Sequence, residues 1–104
     1  EYMASIVTCS QQGSQLNIAI AGRFDFSILQ DFRNAYTLDI DGPIDSVLID
    51  LKSSEHMDSS GMGLLLTLKK ELQLDAGCVE LVNCRPHIRD ALLAARLDHF
   101  FKVN

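Results

Sequence analysis

The chain has no tryptophan, two prolines and six glycines among its 104 residues, and no internal repeat or Ser/Pro-rich linker divides it. Long apolar runs are missing: the longest, around Leu64–Leu65–Leu66, is far short of the roughly 20 residues that cross a bilayer. No basic, then apolar, then small-residue start announces secretion. Cations are scarce, with nine Lys+Arg against fourteen Asp+Glu and a formal net charge of −5. Without a Lys/Arg cluster, direct nucleic-acid binding loses the phosphate neutralisation that supplies its affinity. The three cysteines, Cys9, Cys78 and Cys84, make neither a CxxC zinc pattern nor a disulfide framework. They read as small buried hydrophobes in a reducing cytoplasm, with Arg85 beside Cys84 the one conspicuous nearby cation. At 47% apolar and 22% charged, the composition excludes disorder and fibrous architecture. The expectation is a small, soluble, acidic, cytoplasmic protein, one domain over 1–104, with Glu1–Tyr2 a remnant ahead of a native start at Met3.

Two β-runs open the pattern, Ser5 to Thr8 and Leu16 to Ala21, with Gln12–Gly13–Ser14 as a hairpin loop. Ile28, Leu29, Phe32, Ala35 and Tyr36 then recur on one face of a 3.6-residue period, and Ser27 with Gln30 has capping-box spacing. Asp41–Gly42–Pro43 breaks that helix. Ile44 to Leu51, with Val47–Leu48–Ile49 at its heart, reads as a central strand covered on both faces. A polar loop over Lys52 to Met57 leads to a second helix, about Ser59 to Leu74, whose buried stripe is Gly61, Leu64, Leu65, Leu68 and Leu72. Cys78 to Val82 is a further strand. Pro86 opens a third helix, buried through Ile88, Leu92 and Ala95, and Phe100 and Phe101 close one end of the core. The order β-β-α-β-α-β-α plus a C-terminal element predicts an α/β fold, because parallel strands need helical crossovers.

Chemistry concentrates in Asp58–Ser59–Ser60–Gly61–Met62–Gly63, where a loop delivers two serines and two glycines to a helix start. Unpaired amides and the helix dipole make such a place hospitable to phosphate. Two readings stand: a serine that carries a phosphoryl group, or Asp58 or Ser59 acting only as a helix cap worth about 1 kcal/mol. Two serines and an aspartate exceed the needs of one cap. Two glycines also weaken the first turn by about 1 kcal/mol each against alanine. Gly61 lies on the buried stripe, whereas Gly63 points away beside Leu66, Thr67 and Lys70, as a landing patch for another protein would.

Other sites fail on spacing. The P-loop, GxGxxG and Gly-x-Ser-x-Gly patterns are absent. His56 and Asp58 have no third ligand and make no metal site. His56 is also poorly placed as a base for Ser60, while His87 and His99 read as solvated or half-buried packing residues.

Val47–Leu48–Ile49–Asp50–Leu51 followed by Met57–Asp58–Ser59–Ser60–Gly61–Met62–Gly63 resembles the bacterial anti-sigma factor antagonists, the STAS domains. Gly22–Arg23–Phe24–Asp25 and the stretch from Pro86 through Ile88, Leu92, Leu97, Asp98 and Phe101 extend the likeness over essentially the whole chain. The resemblance implies a mixed, mostly parallel sheet of four to five strands with helices on one face. It implies a regulatory module that is not an enzyme and takes no cofactor. It further implies that Ser60 is phosphorylated by a partner serine kinase, often an anti-sigma factor, and reset by a PP2C-type phosphatase, the unphosphorylated form binding the partner. Asp25, His56, Asp58, Ser59, Gly61, Met62, Gly63 and Leu66 are the expected partner surface, in the cytoplasm and away from nucleic acid and membrane. The family also holds constitutive subunits of lipid-transport complexes, stressosomes and biofilm regulators, the alternative role. Ser54 and His56 stand where relatives carry apolar residues, which suggests a loop shaped for a particular partner, and Arg96 replaces a customary glycine.

Overall fold

A computed structural model describes residues 4–104; the proposed start at Glu1–Tyr2–Met3 lies outside the described residues. Strand β1 (Ile6–Gln12) turns through Gly13 and Ser14 into the antiparallel β2 (Gln15–Phe24). Gly13 has φ +60°, a turn conformation that glycine adopts without a Cβ penalty. Both strands run longer than the apolar alternation suggests, because polar Ser10, Gln11 and Gln12 continue the ladder opposite Asn17, Leu16 and Gln15.

A single 3-10 turn (Phe26–Ile28) leads into α1 (Leu29–Thr37), and β3 (Ser46–Asp50) follows parallel to β2. The segment expected to be a polar loop contains a strand, β4 (Ser54–Met57), parallel to the far end of β2. It escapes the apolar pattern because it is short and its middle residues face water. Ser54 is fully buried and donates its hydroxyl to the Ile20 carbonyl at 2.7 Å. A satisfied hydroxyl is an acceptable core group, so Ser54 anchors the strand instead of shaping a loop for a partner. Gly22, at φ +87° beside a register shift, marks where β2 leaves β3 and takes β4 as neighbour.

Helix α2 (Ser59–Glu71) precedes β5 (Val79–Val82), α3 (Pro86–Ala94) and a short β6 (Lys102–Val103). The order along the six-stranded sheet is β1-β2-β3-β5-β6, with β4 branching from β2, and every pairing except β1–β2 is parallel. The sheet therefore has one strand more than the upper end of the expected four to five.

The three helices share one core with the sheet: Ile18, Ile20, Val47, Ile49 and Leu81 meet Phe32, Leu65, Leu68, Ile88 and Leu92. Strand β3 is central but covered fully on one face only, since Ser46, Leu48 and Asp50 remain half-buried. Ala95 is exposed, and Leu97 fills the place expected for it. Phe101 is buried, whereas Phe100 is 43% exposed and lies under Lys69 Nζ, 5.9 Å from the ring centroid. Cys9 is exposed and Cys78 and Cys84 half-buried, so none is the fully enclosed hydrophobe expected. Burial pushes the Cys84 thiol above its ordinary pKa, with Arg89 opposing weakly, which leaves a poor nucleophile. Arg96 holds φ +61°, the left-handed corner that favours glycine.

Candidate functional site

Two helix starts lie side by side at one end of the sheet. The contact between them is set by Gly61, whose absent side chain lets α2 rest against the end of β2. A Cβ there would overlap the Phe24 carbonyl oxygen and come within 2.9 Å of Phe24 Cδ1. Phe24 is followed directly by Asp25, so this close approach brings Asp25 toward Asp58, whose carboxylate feels the Asp25 charge.

The two aspartates build the same motif. Asp58 Oδ1 accepts the amides of Ser60 (3.0 Å) and Gly61 (3.1 Å) and the Ser60 hydroxyl (2.6 Å). Asp25 Oδ1 accepts the Ser27 amide (3.0 Å) and the Ser27 hydroxyl (2.5 Å), while its Oδ2 pairs with Arg23 Nε at 3.1 Å. Asp25 thus caps the first helical segment, and the expected Ser27–Gln30 capping box does not form; Gln30 donates instead to Asn34. The Ser60 hydroxyl is the largest cause holding the Asp58 carboxyl below its usual pKa, and the Ser27 hydroxyl plays the same part for Asp25. Both carboxylates are ionised at neutral pH.

Ser60 is half-buried and Ser59 fully exposed as the first residue of α2. Ser60 sits at one end of a groove of about 270 Å³ between α1 and α2. Phe26, Leu29, Gly63 and Thr67 line its mouth. Phe26 is 63% exposed, and nothing lies within 4 Å of where a Gly63 Cβ would stand. The groove floor is fixed by Tyr36, whose hydroxyl donates to Glu71 Oε1 at 2.5 Å, and by the Arg33–Glu71 ion pair at 3.2 Å. Burial first, and then Glu71, raise the Tyr36 pKa, so the phenol keeps its proton and its donor role.

Of the residues expected at a partner surface, Asp25, Asp58, Ser59, Ser60 and Gly63 come together here. Gly61 lies beneath them as a packing residue. Met62 and Leu66 are half-buried against the core, so the exposed leucine anticipated beside Gly63 is not there. His56 is exposed on β4, across from Arg23, and does not line the groove. His87 instead contacts the Glu55 carbonyl through Nε2 at 2.8 Å, bracing α3 against β4. Sequence reasoning missed Phe26 and Ser27. A large aromatic off the helix's apolar stripe was the available signal for Phe26.

The Asp58 cap, the half-buried Ser60 hydroxyl and the α1–α2 groove thus meet at one end of the sheet. The STAS domain family model matches residues 7–104. A STAS-domain containing protein of Pseudomonas aeruginosa (strain UCBPP-PA14) is 36% identical over 102 residues, covering 98% of this chain and 100% of that protein. Among solved structures, the anti-sigma factor antagonist SpoIIAA in its unphosphorylated form superposes with a TM-score of 0.74 at 19% identity, over 95% of this chain and 88% of the other. An anti-sigma factor antagonist from Mycobacterium paratuberculosis gives 0.75 at 18% identity, over 96% and 85%. A variant of RsbS from Moorella thermoacetica gives 0.69 at 19%, over 94% and 85%. The chain belongs to the STAS domain family.

Proposed function

We propose that this protein is a non-enzymatic, phosphorylation-switched binding module of a bacterial partner-switching system, acting as an anti-sigma factor antagonist in the cytoplasm. In its unphosphorylated form it binds a partner serine kinase of the anti-sigma type through the groove and the Asp58–Ser60 turn. The kinase phosphorylates Ser60 and releases it, and a PP2C-type phosphatase restores the hydroxyl.

The observation that carries this reading is the Ser60 hydroxyl, partly open to solvent and held by Asp58 at the mouth of an apolar groove. Esterification removes the proton that Ser60 donates to Asp58 and adds a charge of about −1.5 to −2 at neutral pH. The new anion stands between two ionised carboxylates, Asp58 and Asp25, with Arg23 already committed to Asp25. A partner that covered this surface would have to desolvate the phosphate, at a cost of several kcal/mol. About 1.4 kcal/mol already means tenfold in affinity.

Phosphosite mass spectrometry on protein recovered from its native cells, with identification of what co-purifies, tests the proposal. The expected result is a fraction phosphorylated at Ser60 and a kinase-fold partner enriched with the unphosphorylated fraction. Stable co-purification with a multi-subunit assembly and no phosphoserine would instead support a constitutive subunit, and would overturn the switch.

A further inference from the structure

We propose that the groove between β1 and α1 is a second docking site, which takes an extended segment of a partner protein carrying an apolar side chain between two basic ones. This site goes beyond the role proposed for Ser60 and does not rest on it. The groove has a volume of about 480 Å³. Val7, Leu16, Ala35, Leu38 and Ile40 supply its apolar lining, and Leu38 is 56% exposed. The Gln11 side chain donates from Nε2 to the Asp41 carbonyl at 2.6 Å and accepts the Asp41 amide through Oε1 at 3.0 Å. This two-way clasp holds the segment after α1 against β1, so Leu38, Asp39 and Ile40 form a fixed wall of the groove. Asp39 turns that wall at φ +56°, a left-handed conformation that aspartate and asparagine tolerate better than most residues.

Charge selects the occupant. Asp31 and Asp39 line the groove, and no Lys, Arg or His does. From Asp31 to Asp45 the chain carries four aspartates and one cation, Arg33, which is paired with Glu71 of α2. The ion pairs among the described residues are Arg23–Asp25 and Arg33–Glu71, so neither groove carboxylate is neutralised from within the chain. An apolar group flanked by cations complements such a groove, whereas an acidic segment or a second copy of this chain would set like charges against it. Backbone geometry makes the occupant a peptide strand. The Gly22 amide donates to Ser53, and the Ile20 carbonyl accepts from Ser54, so the even residues of β2 face β3 and β4. Odd residues Asn17, Ala19 and Ala21 therefore bond with Ser10, Thr8 and Ile6, their register partners in β1. Val7 and Cys9, which line the groove, are left with N–H and C=O groups directed outward along it. An added strand satisfies those groups. Its alternate side chains, roughly 7 Å apart, enter the groove, an apolar one against Leu38 and a basic one on either side for Asp31 and Asp39. The Ser60 groove lies on the other flank of α1, along Leu29, Phe32 and Tyr36, so the two sites can be filled together.

Titration of the isotope-labelled protein with the end-blocked peptide Thr-Lys-Thr-Leu-Thr-Lys-Thr, followed by NMR, tests this directly. The expected result is a set of saturable shifts confined to β1, α1 and Leu38–Ile40. Hydrogen exchange at the Val7 and Cys9 amides should slow in the complex, because both become bonded, and added salt should weaken binding. The Asp31→Asn/Asp39→Asn double variant keeps the side-chain shapes and the left-handed turn, and circular dichroism checks its fold. It should bind about three- to tenfold more weakly, since each exposed ion pair contributes little alone. Peptides with Thr or Glu in place of both Lys should bind correspondingly less well, the Glu peptide least. No saturable shifts at this groove, shifts centred on Ser60, or equal binding of the Lys and Thr peptides would each overturn the proposal. So would unchanged affinity in the folded double variant, or unslowed exchange at Val7 and Cys9 in the saturated complex.

Discussion

Asp58 is tied to Ser60 by a proton it does not own. Its carboxylate is stabilised first by the Ser60 hydroxyl and then by the Gly61 and Ser60 amides, and Asp25 is stabilised in the same manner by Ser27 and Arg23. Both folded pKa values lie below the unfolded ones. The stability these groups contribute is therefore complete above the unfolded carboxylate value, about 3.9, and is lost as pH falls through the folded pKa. The Asp25→Asn/Asp58→Asn double variant should show a flatter decline of thermal midpoint below about pH 4 than wild type. Identical acid profiles would mean that these turns do not hold their carboxylates as drawn. Phosphorylation of Ser60 should raise the Asp58 pKa, because it deletes the leading donor and adds an anion; carboxyl-detected NMR titration of the two forms reads that shift.

At the scale of the helix, the two glycines of α2 separate packing from recognition. Gly61→Ala forces α2 away from the Phe24 carbonyl and should cost about 1–3 kcal/mol, measured by urea unfolding. Gly63→Ala meets open space and should stabilise by about 1 kcal/mol through helix propensity, yet weaken partner binding because its methyl enters the groove mouth. Stabilisation with undiminished binding would remove Gly63 from the partner surface. Arg96→Gly should stabilise by about 1 kcal/mol, since arginine there bears the left-handed backbone cost.

The same elements show what a sequence can disclose. Leu64, Leu65 and Leu68 announce α2 because one helical face must be apolar to reach the sheet, and Asp58–Ser59–Ser60 announces its start because orphan amides need a cap. Strand β4 gives no such signal. It is held by backbone pairing to β2 and by the Ser54 hydroxyl, and neither requires apolar alternation. Phe26 signals only as a large aromatic off the apolar stripe: its place beside Ser60 depends on α1 and α2 packing together, a relation between elements separated in sequence by β3 and β4.

For the molecule as a whole, the Asp58–Ser60 turn stands at one end of the α1–α2 groove, so the proposed modification of Ser60 would act at the surface of the fold. A charge of −5 before phosphorylation becomes more negative after it, concentrated at the end where Asp25 and Asp58 already stand. Ser60→Ala should therefore hold its partner permanently, and Ser60→Asp should bind it less well, with thermal stability little changed in either. The most direct measurement is calorimetric titration of the co-purified partner into two samples, one unphosphorylated and one stoichiometrically phosphorylated at Ser60. Partner switching predicts affinity at least about tenfold weaker for the phosphorylated sample; equal affinities would contradict it.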